Sequence, residues 1–294
     1  MNAQKIIPLR SRGQQIWDTF RTATWLGWQI ESNWTDPFLF FVYSVVKPLS
    51  SAGILVIMYS VITNGQFGSP IFAYLYIGNA FYMYVGGVMT GVSWAVVDDR
   101  EHYRTLKYIY AAPVVMPFYL LGRAMARILT TSLAVVITMT FGVLFLQVPF
   151  NPAQVDWPLL LVGLFIGIMM LTMMGLMLAG ITLLLARHSD YLGDAVAGAL
   201  YLFSGAIFPL EVLPAFLRPV GYVIPVAYWL EVVRRAIVGN VAEAFPTFSN
   251  LSNSTLLLIL LGLTAFFGIL GWVVFRACEK RARERGLIDQ TTNY

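Results

Sequence analysis

Long apolar runs separated by short polar breaks set the pattern of this chain. Six stretches approach the roughly 20 apolar residues that carry a helix across about 30 Å of hydrocarbon. They are Phe38–Ile62, Ile71–Val97, Phe118–Leu146, Leu159–Ala186, Tyr191–Phe208 and Leu256–Phe275. The second, fourth and sixth contain no charged residue. The first holds Lys47 followed by Pro48, which predicts a kink. The third has Arg123 and Arg127 in its first turns, within reach of the interface. The fifth is short and carries Asp194 near its start. Before them, residues 14–31 place Ile16, Phe20, Ala23, Gly27 and Ile30 on one helical face, with Asp18, Arg21, Thr22 and Gln29 opposite. With Trp17, Trp25 and Trp28 added, this predicts an amphipathic helix lying in the membrane interface.

Composition agrees with a bilayer setting. Of 294 residues, 58% are hydrophobic and 12% charged, against roughly 25% charged in soluble domains. The net charge of +4 reads as the cytoplasmic bias of basic residues rather than as nucleic-acid binding. Basic residues gather in the N-terminal tail, between spans two and three, and in the tail from Arg276 to Arg285, while the loops at 63–70 and 147–158 hold no Lys or Arg. Six spans with both termini cytoplasmic place these basic segments on one side. A single cysteine, Cys278, precludes an intrachain disulfide, and Cys278, His102 and His188 lack metal-ligand spacing. The first 37 residues show no removable signal peptide.

Two segments interrupt the apolar pattern. Residues 209–240 are cut by Pro214, Pro219 and Pro225 and carry Glu211, Arg218, Glu231, Arg234 and Arg235. A seventh span here would put the basic tail outside, so the expectation is two half-helices that dip into the outer leaflet and return. Such backbone needs protein or a water-filled cavity around it. The second interruption, VDDREHYRTLKYIYAAP from Val97 to Pro113, follows an uncharged run yet carries six formal charges. Tyr103, Leu106, Ile109, Tyr110 and Pro113 fall at helical spacing, and Asp98 and Asp99 sit where a helix start favours negative charge. A short amphipathic cytoplasmic helix over 98–112 is predicted. A membrane-embedded hydrolase fits poorly, because both histidines lie at the margin of the spans and neither has an aspartate five positions on.

DDREHYRTLKYIYAAPV resembles the cytoplasmic connection of ABC type-2 exporter permeases: an acidic-Arg-Glu start, Thr-Leu, and an apolar turn ending in Pro. SGAIFPLEVLPAFLRPVGYVIPVAYWLEVVRRAIVG resembles that family's second hallmark, with Ser204-Gly205, Phe208-Pro209, Leu213-Pro214, Pro225 and Arg234 or Arg235. One departure is Arg104, where the family often has Gly before Thr-Leu. The resemblance covers nearly the whole chain. It implies an all-α membrane protein with an interfacial helix in a segment 1–36, a six-span domain over 37–277 and a basic cytoplasmic tail over 278–294. It further implies a coupling helix at 98–112 and a re-entrant pair at 209–240. Partners would be two copies of an ABC ATPase, a second permease subunit and the lipid bilayer. All four lysines lack a preceding Gly, so no phosphate loop exists on this chain. ATP and Mg would therefore be bound by the partner.

The residues implied in coupling are Asp98, Asp99, Arg100, Glu101, Tyr103, Arg104, Leu106 and Ile109. Arg100, Glu101 and Arg104 would make charge contacts with the ATPase, and Tyr103, Leu106 and Ile109 would form the packed face. For a substrate path, Phe40, Tyr43 and Lys47 stand out in the first span, since an ionisable group inside a span is a functional candidate. In the re-entrant region Pro209, Glu211, Pro214, Pro225, Arg234 and Arg235 stand out. An exported amphipathic drug or lipid is the first expectation for cargo. A lipid-linked polysaccharide is the alternative, and a channel or structural membrane subunit is the reading from another class.

Overall fold

A computed structural model describes residues 11–32, 38–39, 42–63, 67, 69–185, 191–239 and 245–288, and among them the chain is helical with no strand. The helices are α1 (Arg12–Ser32), α2 (Lys47–Thr63), α3 (Pro70–His102), α4 (Leu106–Ala111), α5 (Met116–Phe145), α6 (Trp157–Leu184), α7 (Leu192–Phe203), α8 (Arg218–Val223), α9 (Pro225–Val238) and α10 (Asn253–Glu284). Four of these, α3, α5, α6 and α10, are long and apolar enough to cross a membrane; α2 and α7 are shorter apolar helices.

Local sequence accounts for where they begin and bend. Ser69 caps α3 by accepting the Phe72 N–H at 3.2 Å, with Pro70 in the first turn where its missing N–H costs nothing. Asp156 and Pro158 do the same for α6, and Ser252 caps α10. A π-helical turn, Val42–Val46, precedes α2 directly ahead of Pro48. Proline removes the hydrogen bond that would close a regular turn there, so the predicted kink takes the form of a widened turn. Two further π turns interrupt α3, at Val85–Met89 around the Gly86-Gly87 pair and at Asp98–His102.

α3 is the axis of the molecule. Its most apolar window is 78% buried, against 17% for α10, and Phe72, Tyr74, Tyr76, Ile77, Val85 and Met89 are fully enclosed. Lipid tails are as apolar as leucine, so helices in a bilayer associate through close packing at small residues. Gly163 of α6 faces Val232 of α9, and Gly167 faces the Trp229 indole. A Cβ at Gly175 would lie 2.6 Å from the Met89 carbonyl of α3, and one at Gly180 would lie 2.7 Å from Phe275 Cα of α10. The buried face of α1 is Thr19, Ala23 and Gly27, and it rests on α5, where a Cβ at Gly122 would meet the Phe20 carbonyl at 2.6 Å. Trp17, Trp25 and Trp28 remain exposed on its other side.

Helix boundaries differ from the hydropathy pattern in two informative places. α3 continues five residues past Val97 into the charged segment, and α10 continues past Phe275 to Glu284. Hydropathy stops where the chain leaves apolar surroundings, but nothing in either sequence stops the helix there. The division drawn at 277/278 therefore falls inside α10. The 209–240 segment contains a short turn at Leu210–Val212, then α8 and α9 joined at Ile224.

Candidate functional site

The charged segment is one helix in the sequence pattern but two pieces in the structure. Asp98–His102 forms the last, π-helical turn of α3. Wide backbone loops close it, with Tyr103 N–H on the Asp98 carbonyl and Thr105 N–H on the Asp99 carbonyl, both at 2.8 Å. Arg104 then takes φ 53°, a left-handed conformation that glycine adopts freely and other residues at a cost. The helix ends there, and α4 begins at Leu106. Position 104 is thus a backbone position first, which gives the often-found glycine of the resembled family a physical meaning.

The break redistributes the charges. Asp99, Arg100 and Glu101 are buried, whereas Tyr103 is half exposed and Arg104, Lys107 and Tyr108 face outward. Leu106 is buried and Ile109 half-buried, as a packed face requires. Tyr103 does not join them, and Arg100 and Glu101 point inward, because helical periodicity ends at Arg104. Asp98 is paired with His102 at 3.0 Å near the surface.

Below the break lies a network of ion pairs between helices. Asp99 accepts from Arg123 Nη1 at 3.0 Å and from the Tyr119 hydroxyl at 2.8 Å, and Arg123 also reaches the Tyr119 oxygen at 3.0 Å. Arg100 Nε pairs with Glu101 at 2.8 Å, and its Nη1 donates to the Thr182 carbonyl of α6 at 3.1 Å. Arg127 pairs with Glu31 of α1 at 2.8 Å. Burial raises the Glu31 carboxyl above its ordinary value, with Arg127 partly offsetting that. Gln15 of α1 donates to the Pro113 carbonyl at 2.7 Å, just beyond α4. The ends of α1, α3, α5 and α6 are thereby linked around one short exposed helix. Buried pairs of this kind add little net stability, since desolvation offsets attraction, but they fix which surfaces meet. Tyr119, Arg123 and Arg127 stand four apart on one face of α5, a spacing that marks them in the sequence as partners for one surface.

The 209–240 residues form a second polar centre. Arg234 is enclosed, with Nε on the Tyr74 carbonyl at 2.9 Å and Nη2 on the Gly205 carbonyl at 2.7 Å. The Phe245 ring lies 4.6 Å from its guanidinium. Gly78 makes room for it, since any Cβ there would overlap the guanidinium. Arg235 pairs with Glu231 at 2.7 Å and caps the Leu251 and Phe248 carbonyls, each at 2.6 Å. Glu211 accepts from the Thr247 hydroxyl at 2.5 Å, and Arg218 donates to the Glu211 and Leu213 carbonyls at 2.6 and 2.9 Å. Pro209 and Pro214 flank the Leu210–Val212 turn and Pro225 opens α9. These side chains hold irregular backbone together. Of the first-span candidates, Lys47 is exposed at the start of α2, while Phe40 and the Tyr43 side chain lie outside the described residues. His188 lies outside them too. Among the described residues no group of three or more His, Cys, Asp or Glu side chains converges as metal ligands would.

A comparison with curated proteins gives no match. A protein-family model described as ABC-2 type transporter matches residues 19–238, from within α1 to the end of α9.

Proposed function

The chain belongs to the ABC-2 type transporter family, and from that premise we propose that it is the permease subunit of an exporter whose α4 surface receives force from a separate ATPase. Membership makes it a multi-pass membrane protein and a transporter permease, and implies association with an ABC ATPase and dimerisation in general. The finer reading is six spans, α2 and α7 completing the set begun by α3, α5, α6 and α10. The α4 end and both termini face the cytoplasm of a prokaryotic cell, and α1 lies in the interface with its tryptophans in the headgroups. The α8–α9 hairpin re-enters from the outer side.

One observation carries the coupling reading. Exposed Tyr103, Lys107 and Tyr108 lie on either side of Leu106 in the chain, and Leu106 is buried in one apolar cluster with residues of α3, α5 and α6. A push on α4 therefore meets α3, α5 and α6 together. Two ATPase subunits closing on ATP and Mg would press α4 and α1 of each permease. The paired permeases would then rock and open a path for an amphipathic drug or lipid. Lys47, Tyr43 and Phe40 are assigned to that path.

The test is co-expression with the ATPase encoded beside this chain, followed by purification and assay of ATP hydrolysis against added compounds. Co-purification with hydrolysis stimulated by hydrophobic amphiphiles supports the proposal. Stimulation by undecaprenyl-linked glycans instead moves the cargo to polysaccharide. Absence of any bound ATPase moves the chain to a channel or structural subunit.

A further inference from the structure

The last helix does not end with its apolar face. α10 has 32 residues, which at 1.5 Å each is about 48 Å, against roughly 30 Å of hydrocarbon. Arg276 through Glu284 continue it as a charged helix beyond the residues matched by the family model. This extension is packed on one side. Glu279 and Ala282 are buried, and Ala282 shares an apolar cluster with Leu106, Met116 and Phe275. Ile109 and Tyr110 of α4 pack against that cluster, and so do Leu287 and Ile288. The return of the chain at Leu287 has a defined cause. Gly286 takes φ +66°, and the Leu287 N–H reaches the Ala282 carbonyl at 3.0 Å while the Gly286 N–H reaches the Arg283 carbonyl at 3.2 Å. That is a Schellman cap with its accompanying apolar contact.

The polar half of the contact is equally specific. Glu279 Oε1 accepts from Arg283 Nη2 at 2.8 Å. The Arg283 guanidinium stands 4.7 Å from the centre of the Tyr110 ring, a cation–π contact. Burial, with the Glu279 charge beside it, raises the Tyr110 phenol above its ordinary value, so the ring presents a neutral face to the cation.

We infer that Tyr110, Glu279 and Arg283 latch α4 to the extension of α10, so that the two move as one body. The inference rests on the docking reading of α4 and adds where the force goes next. A helix of six residues has too few backbone hydrogen bonds to hold its own shape; Leu106 seats one end of α4 and Tyr110 the other. From the latch the path runs along α10 into α6, where a Cβ at Gly271 would lie 2.5 Å from the Met173 carbonyl and backbones touch again at Gly180 and Phe275. The three latch residues are positioning residues: they touch neither cargo nor nucleotide.

The experiment places spin labels at Ala111→Cys and Lys280→Cys, both exposed and neither on the docking edge, in a Cys278→Ser background. Distances are measured by electron–electron double resonance in lipid nanodiscs. The chain alone is expected to give one narrow distance. Tyr110→Leu and Arg283→Gln broaden it, whereas Tyr110→Phe, which keeps the ring under the guanidinium, leaves it narrow. With the ATPase bound and trapped by ATP and vanadate, the distance stays where it was. Equal widths in the parent and both disrupting variants overturn the latch, and so does a shifted distance on trapping. If no ATPase binds while the parent distance is narrow and the variants broaden it, the latch stands and the docking reading fails.

Discussion

Two buried arginines, at the two polar centres of the molecule, are neutralised in different ways. Arg234 is held by backbone carbonyls of Tyr74 and Gly205 and by the Phe245 ring. Arg123 is held by a carboxylate, Asp99, carried on another helix. The carbonyl-bound cation satisfies backbone that has left the helix after α7, which inside a bilayer has no water to turn to. It is therefore part of the architecture. The Asp99–Arg123 pair satisfies no irregular backbone. It joins α3 to α5 at the last turn of α3, the turn that leads into α4. The same residue type thus fastens irregular backbone at one centre and joins two long helices at the other.

The strongest break in this comparison is Asp99→Ala. It leaves Arg123 buried without its carboxylate and is expected to lower stability by about 3–5 kcal/mol, read as a loss of thermal stability in detergent. Replacing both partners by Asp99→Leu and Arg123→Met should recover most of that loss while uncoupling ATP hydrolysis from cargo. At the other centre, Gly78→Ala forces a methyl into the Arg234 guanidinium and should cost about 1–3 kcal/mol as overpacking, with no rescue by altering any carboxylate. Arg104→Gly relieves the left-handed backbone and should stabilise by about 1 kcal/mol, with ATPase binding retained. The smallest effect belongs to Glu31. Its raised carboxyl binds a proton more tightly when folded, so its contribution falls as pH rises from its ordinary 4.5 through the raised value. Glu31→Gln should flatten the dependence of melting temperature on pH over that interval.

The amount legible in the sequence follows from which forces leave a linear trace. The candidate spans α3, α5, α6 and α10 each contain a long apolar run, broken in α5 only by Arg123 and Arg127, and the buried face of α1 repeats at helical spacing, so these are readable. The proline-cut pattern around Pro214 and Pro225 marked the irregular region. What could not be read is which charges turn inward. Asp99, Arg100 and Glu101 look like a solvated helix start until α3 is seen to continue through them. Arg104 looks like a docking cation until its φ shows that it is a turn. Glu279 sits in a basic tail whose composition suggests solvent, and only the length of α10 brings it under Tyr110. Asp99 meets Arg123 of α5, Arg100 meets the Thr182 carbonyl of α6 and Glu279 lies beside Tyr110 of α4, each remote in sequence, and charge alone carries no record of burial.

In the proposed function the exposed edge of α4 receives the ATPase. The measurement that bears on it most directly is the amount of ATPase co-purified with the combined variant Lys107→Glu and Tyr108→Ala, against the parent chain. Both side chains are exposed and touch none of the buried pairs, so melting temperature should be unchanged. A folded permease that loses its ATPase is expected. A folded variant that retains the ATPase at parent stoichiometry contradicts it.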